Sequence, residues 1–211
     1  MTFGNVLILG DSYSTFEGHI PSGYESWYYT HPLNDTDVDR AEQTWWWQLL
    51  EDTDSRLVLN CSWSGTTICH TGYGGDCSDR SFVSRFDRLC EEGYFGRHPV
   101  DTVMIFGGTN DFWAGSPLGE LQYADWQRED LYAVLPAVGY LLHRVTATLP
   151  RARVLFIVNT DLSQAITDGI KAACANFGVS VVAPSFIAKQ AGHPNVEGMT
   201  QIARAVQESM L

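Results

Sequence analysis

Runs of apolar residues that end abruptly in small, polar, turn-forming ones recur five times along the chain, with helical apolar patterns between them. The first, VLILGDSYS at residues 6–14, passes from four consecutive apolar positions to Gly10, Asp11 and Ser12. An unbroken apolar run suits a strand covered on both faces, and glycine ends it. RLVLNC at 56–61, DTVMIF at 101–106, RVLFIVN at 153–159 and the short VSVV at 179–182 repeat that pattern. Between them, apolar residues fall at helical spacing over 44–51 with Thr44 as cap, and over 81–90 capped by Ser81, with its charges turned to solvent. The longest helical pattern covers 128–149, with a kink expected at Pro136; further helices are predicted over 163–177, ending at Gly178, and over 196–210. Strand and helix alternating in this way predict an α/β fold, a mostly parallel five-stranded sheet with helices on both faces. Trp45, Trp46 and Trp47 are adjacent on one predicted helix. Their directions differ by about 100°, so at least one must leave the core.

Residues 13–44 keep no sustained period and are rich in aromatics and turn formers, which reads as a long loop inserted in a single domain spanning 1–211. Trp27, Tyr28 and Tyr29 are its candidates for one wall of a substrate cleft, because flat amphipathic rings cover apolar faces and still hydrogen-bond.

Composition narrows the function classes. The chain has 211 residues, 45% hydrophobic and 18% charged, ordinary for a globular domain. A formal net charge of −12 argues against a nucleic-acid partner, since phosphate binding requires clustered Lys and Arg. No apolar run approaches the roughly 18 residues that span a bilayer. The first strand begins almost directly after Met1, so the protein is expected to be cytoplasmic, or secreted if a leader has been removed. Its five cysteines, Cys61, Cys69, Cys77, Cys90 and Cys174, are expected to be reduced; Cys69 and Cys77 could close a loop disulfide in an oxidising compartment. Their spacing fits no zinc site.

The candidate chemistry sits where the apolar runs stop. In an open parallel sheet, ligands bind outside the carboxyl ends of the strands. Ser12 follows the first run, Gly65 lies in SGTT after the second, Asn110 and Asp111 close GGTND after the third, and His193 lies in AGHPN before the last helix. Taken singly, each has a plain structural reading: Asp11, Ser12 and Asp111 cap helices well, Gly65 suits a turn, and His193 suits a surface position. Their chemical reading is equally concrete. Serine is a nucleophile once a base takes its proton, Gly65 lets a backbone amide approach a ligand, and the Asn110 amide can meet a developing negative charge. The other five histidines have no comparable setting and are read as structural. A flavin or nucleotide could also bind at such strand ends, but no glycine-rich phosphate fingerprint follows the first strand.

Taken together and in order, the blocks GDSYS, SGTT, GGTND and HPN resemble those of the SGNH hydrolases, also called GDSL-type esterases. The resemblance implies a flavodoxin-like three-layer fold and ester hydrolysis through an acyl-enzyme. It makes Ser12 the nucleophile and His193 its general base, with an oxyanion hole from the Ser12 and Gly65 amides and the Asn110 side chain. No cofactor or metal is implied. One element of the pattern is missing: three positions before the histidine, where the family carries an acid, this chain has Gln190. Gln190 is the first candidate to orient His193. A main-chain carbonyl in a Ser–His dyad is another, and Glu197 is a third, by proximity alone. The aromatic loop and the acidic composition favour a small polar ester such as an acetylated saccharide over a lipid. Lysophospholipase or thioesterase activity, or ligand binding without turnover, are the alternatives.

Overall fold

The computed structural model describes residues 2–210. Its strands are β1 (Asn5–Gly10), β2 (Arg56–Ser62), β3 (Thr71–Gly72), β4 (Gly75–Asp76), β5 (Thr102–Phe106), β6 (Arg153–Ile157), β7 (Ser180–Val182), β8 (Lys189–Gln190) and β9 (His193–Pro194). Its helices are α1 (Trp45–Asp52), α2 (Phe82–Glu91), α3 (Thr109–Trp113), α4 (Val134–Thr148), α5 (Gln164–Phe177) and α6 (Val196–Glu208). The central sheet has the order β2-β1-β5-β6-β7, parallel throughout. β3–β4 and β8–β9 are separate two-stranded antiparallel hairpins.

The unbroken apolar runs are explained by burial on two sides. Leu7, Leu9, Val103, Ile105 and Phe156 pack with residues of α2, α4 and α5, while Val6, Ile8, Met104, Phe106, Leu155 and Ile157 pack with α1 and α6. Alternate residues of one strand therefore enter opposite cores, the period-2 geometry of a strand, and three layers result. The chain leaves β1 for β2 on one side of it and returns to β5 on the other. That reversal of strand order opens a crevice at the carboxyl end of β1, between it and β5, where Ser12 follows.

Several sequence expectations change. Residues 128–149 do not form one kinked helix: a 3-10 segment, Arg128–Tyr132, is separated from α4 by Ala133 in extended conformation (φ −115°, ψ 149°). Pro136 lies in the first turn of α4, where a missing N–H costs no helical bond, so no kink is required. Trp45 and Trp46 are buried and Trp47 is half-buried, in line with their angular spread. The charges of α2 are not all solvated. Arg85 is 1% exposed, because its guanidinium reaches under the sheet's carboxyl edge. Cys69 and Cys77 are free thiols, and the Cys77 Sγ lies 3.0 Å from Thr67 Oγ1.

Candidate active site

Ser12 begins a 3-10 turn, Ser12–Ser14, whose cap is Asp11: the Asp11 Oδ1 accepts from the Tyr13 amide at 3.0 Å. The turn is clamped from α1, since the indole N–H groups of Trp45 and Trp46 donate to Ser14 Oγ (3.2 Å) and Ser14 O (3.0 Å). Asn60 of β2 donates to the same Ser14 carbonyl at 2.8 Å. Gly10 is required at the strand end for space: a Cβ there would stand 2.6 Å from Ser62 Oγ and 2.8 Å from Ser14 Cβ. The cap reading of Asp11 and the chemical reading of Ser12 are thus compatible, because the cap aims the serine.

His193 arrives from 181 residues away on the β8–β9 hairpin. Its Nε2 lies 2.9 Å from Ser12 Oγ, and its Nδ1 lies 3.2 Å from the Ala191 carbonyl. A carbonyl only accepts, so Nδ1 carries the hydrogen and Nε2 is left with its lone pair toward the serine hydroxyl. The hairpin turn is Ala191–Gly192, both with positive φ (47° and 78°), the primed two-residue geometry that suits twisted strands. The Tyr13 hydroxyl donates to the Gly192 carbonyl at 2.6 Å, tying the residue after Ser12 to the residue before His193. Burial pushes the His193 imidazole down to about pKa 4; the Ala191 carbonyl opposes that shift and the Lys189 ammonium adds to it.

Gln190 does not orient the histidine. Its position on β8 directs the side chain outward, and its amide donates to Asp35 Oδ1 at 2.6 Å. Glu197 does not fill the gap either: it is exposed in the first turn of α6, and its carboxylate accepts from Gln201 at 3.2 Å.

Asn110 stands at the start of α3, after β5. Its Nδ2 donates to the Thr66 carbonyl at 3.0 Å, and its Oδ1 accepts from the Tyr73 hydroxyl at 2.9 Å. One Nδ2 hydrogen remains for a ligand. Gly65 has φ 75° and open space around the position of a Cβ, so its requirement is the left-handed backbone and not clearance. Neither the Gly65 amide nor the Ser12 amide donates to a protein acceptor among the described residues. An amide without a protein acceptor can donate to a ligand.

Two buried side chains hold these blocks together: Arg85, whose charge the sequence turns to solvent, and Asp111, expected there to cap the next helix or hold the loop. Arg85 donates to the Cys61 carbonyl, to the Gly10 carbonyl at 3.0 Å and to Thr66 Oγ1 at 3.0 Å, joining the ends of β1 and β2 to the Gly65 loop. Asp111 accepts from the Ile68 and Cys69 amides at 2.9 and 3.1 Å, joining α3 to the same loop. An arginine on a helix with an apolar stripe gave no sequence signal of this role. The pair Asn159 and Lys189, 30 residues apart and on no helix, carried no sequence signal either: Lys189 donates to Asn159 Oδ1 at 2.8 Å and pairs with Asp161 beside the hairpin.

Of the three loop aromatics, only Trp27 reaches the site, where its ring stacks on His193. Tyr28 lines no cleft: it is fully buried, with its hydroxyl on the Pro194 carbonyl at 2.8 Å. Tyr29 is half-buried and bonds within its own loop, to the Ser26 carbonyl at 2.8 Å. The exposed rings beside the site are instead Tyr73, on the β3–β4 turn, and Trp113, at the end of α3.

A parallel three-layer sheet with a serine, a histidine and unfilled amide donors at its switch point defines a hydrolase-type α/β protein. The model of the GDSL-like lipase/acylhydrolase family matches residues 4–210, and the chain belongs to that family, whose members act on ester bonds. A crystal structure described as a GDSL-like lipase from Bacteroides ovatus is similar over 100% of this chain and 99% of its own, with 40% identity and a TM-score of 0.92. A second, from Bacteroides uniformis, has 42% identity and a TM-score of 0.91, covering 98% of this chain and 94% of that one. A family two carbohydrate esterase from Clostridium thermocellum shares the fold, with 16% identity and a TM-score of 0.65 over 98% of this chain and 63% of its own. No curated protein matches the sequence.

Proposed function

We propose that the protein is a serine esterase that removes a small acyl group, most simply acetyl, from a carbohydrate or similar polar ester through an acyl-enzyme. The observation that carries the reading is the 2.9 Å contact between His193 Nε2 and Ser12 Oγ, with Nδ1 fixed by a carbonyl. Ser12 Oγ attacks the ester carbonyl carbon as its proton passes to Nε2. The tetrahedral oxyanion is met by the Ser12 and Gly65 amides and the free Asn110 amide hydrogen. Collapse expels the alcohol, which takes the proton from the imidazolium, and water repeats the sequence on the acyl-enzyme. A single donor to such an oxyanion is typically worth about 10² to 10³ in rate.

The exposed rings of Tyr73 and Trp113 beside the site support a sugar-sized alcohol portion, since aromatic faces cover the apolar faces of a pyranose while leaving its hydroxyls wet.

The test has two arms. A small activated acetyl ester and a serine-directed phosphonate report on the chemistry: turnover and labelling of Ser12 are expected, both lost in Ser12→Ala with the fold retained by circular dichroism. Retained turnover in Ser12→Ala removes the nucleophile assignment, and no turnover or labelling in the folded wild type leaves a ligand-binding protein. Acetylated oligosaccharides compared with medium-chain acyl esters then report on substrate. Preference for the acyl chains replaces the deacetylase reading with a lysophospholipase- or thioesterase-type one.

A further inference from the structure

The Trp27 indole lies flat on the His193 imidazole, with ring centroids 3.5 Å apart and planes 7° from parallel. Tyr13 and Trp113 close in at steep angles, their centroids 5.2 and 5.8 Å from the same ring. Trp27 is anchored at both ends of its peptide: its amide donates to Thr15 Oγ1 at 2.9 Å, and its carbonyl accepts from Asn34 at 2.8 Å. Thr15 Oγ1 in turn donates to the Ser12 carbonyl at 3.0 Å, so the indole and the serine share one local frame.

Among the described residues, no negative charge faces this ring. The groups that face His193 are the Ser12 hydroxyl and Tyr13 after β1, Trp27 from the long loop, Trp113 from α3, and Ala191 and Lys189 from its own hairpin. Lys189 is the only charged one among them, and it disfavours a second cation. Nevertheless, accepting the serine proton makes the ring an imidazolium at a position that is 6% exposed. A neutral carbonyl 3.2 Å from Nδ1 fixes the tautomer but supplies only a dipole. The face of an indole carries the strongest negative quadrupole of the aromatic side chains, and a desolvated cation against it is held well.

We propose that Trp27 is a positioning residue for His193 whose π face stabilises the imidazolium form, dividing with the Ala191 carbonyl the work of the absent acid. The inference rests on the reading of Ser12 and His193 as nucleophile and base. Trp27 then acts on proton transfer, and its ring face is not a free platform for substrate.

Fluorinated tryptophans of increasing fluorine number, placed at position 27 alone, test this, because they drain the π face while keeping the ring's shape. Two quantities are read: kcat and KM on an activated acetyl ester, and the His193 ring titration by NMR, which needs no turnover. Successive fluorines are expected to lower kcat progressively, about 10-fold or more across the series, with KM unchanged and the His193 pKa moving down. Trp27→Leu, which keeps water out but has no π face, is expected to lose about 30-fold in kcat. A flat kcat and a flat titration across the series overturn the proposal, as does an effect confined to KM, which would make Trp27 a substrate platform. If the wild type neither turns over esters nor labels at Ser12, the esterase reading fails, and the NMR titration still decides whether Trp27 stabilises the cation.

Discussion

Ala191 accepts from His193 Nδ1 at 3.2 Å, two residues along the same hairpin, while Gln190 beside it is bonded to Asp35 at 2.6 Å. The histidine therefore takes its orientation from the turn that carries it. Gln190→Ala removes a contact between the hairpin and the long loop but nothing from the imidazole. The expected loss in kcat/KM is less than about threefold, which by the conversion of rate to free energy is under about 1 kcal/mol. Steady-state kinetics on an activated ester checks this, and a loss above about 100-fold would return Gln190 to the histidine's support.

Tyr73 and Asn110 give a second prediction. The Tyr73 hydroxyl holds Asn110 Oδ1 from the solvent side at 2.9 Å, while Thr66 O holds Nδ2 from within at 3.0 Å. Tyr73→Phe keeps the ring and removes only the outer bond. A hydrogen bond of this kind is worth about 1 kcal/mol, so kcat is expected to fall about fivefold, with KM nearly unchanged. Asn110→Ala removes the donor itself and should cost about 10² or more. A larger effect of Tyr73→Phe on KM than on kcat would instead assign the hydroxyl to substrate.

The pH dependence has two opposed parts. His193 falls to about pKa 4 in the folded protein against an ordinary value near 6.5. The base is thus neutral, and kcat/KM should rise through pH 4 and stay level to neutrality. For stability the sign is unfavourable to acid: between pH 6.5 and 4 the unfolded chain protonates this histidine and the folded one does not, so stability falls as pH falls. Asp11 runs the other way. Burial, with Asp111 nearby, raises it to about 7 against the restraint of the Tyr13 amide and Arg85, and its Oδ2 is buried without a partner. Between pH 4 and 7 the unfolded chain loses that proton first, so stability falls as pH rises. Asp11→Asn removes the second effect alone. Its stability relative to wild type is expected to improve by about 2 to 3 kcal/mol from pH 5 to pH 8, measured by urea unfolding at both. A difference independent of pH would show Asp11 to be ionised throughout.

The strands and the four blocks were legible because burial on both sheet faces writes unbroken apolar runs, and each run stops where a polar loop must begin. Ser12, Gly65, Asn110 and His193 all stand at or near the carboxyl edge on that logic. What the sequence hid depends on partners far along the chain. Arg85 looks like any surface arginine of an amphipathic helix until β1 and β2 place two carbonyls over it. Trp27 and Tyr28 are adjacent and chemically similar, yet one stacks on His193 and the other is sealed in the core, a difference set by the path of an irregular loop. The short β3–β4 and β8–β9 hairpins, only two residues per strand, are below the length at which alternation can be read.

Arg85 carries the last prediction. Its guanidinium is buried, makes no ion pair to a carboxylate among the described residues, and has as partners the carbonyls of Gly10, Cys61 and Arg80 and the Thr66 hydroxyl. It also lies over the Phe82 ring, 4.5 Å from its centroid. Arg85→Met fills much of the same volume and leaves those acceptors without donors in a site closed to water. Each unsatisfied buried group costs about 1 to 3 kcal/mol, and some relax, so a destabilisation of about 3 to 5 kcal/mol is expected in urea unfolding. Thr66, released from Arg85, carries the Gly65 loop with it, so kcat should also fall in the fraction that remains folded. Arg85→Lys tests the geometry. One ammonium cannot span carbonyls on two strands and a hydroxyl on the loop, and it should recover less than half of the lost stability. Full recovery by lysine would mean that charge, and not the planar fork joining the two strand ends, is what the site requires.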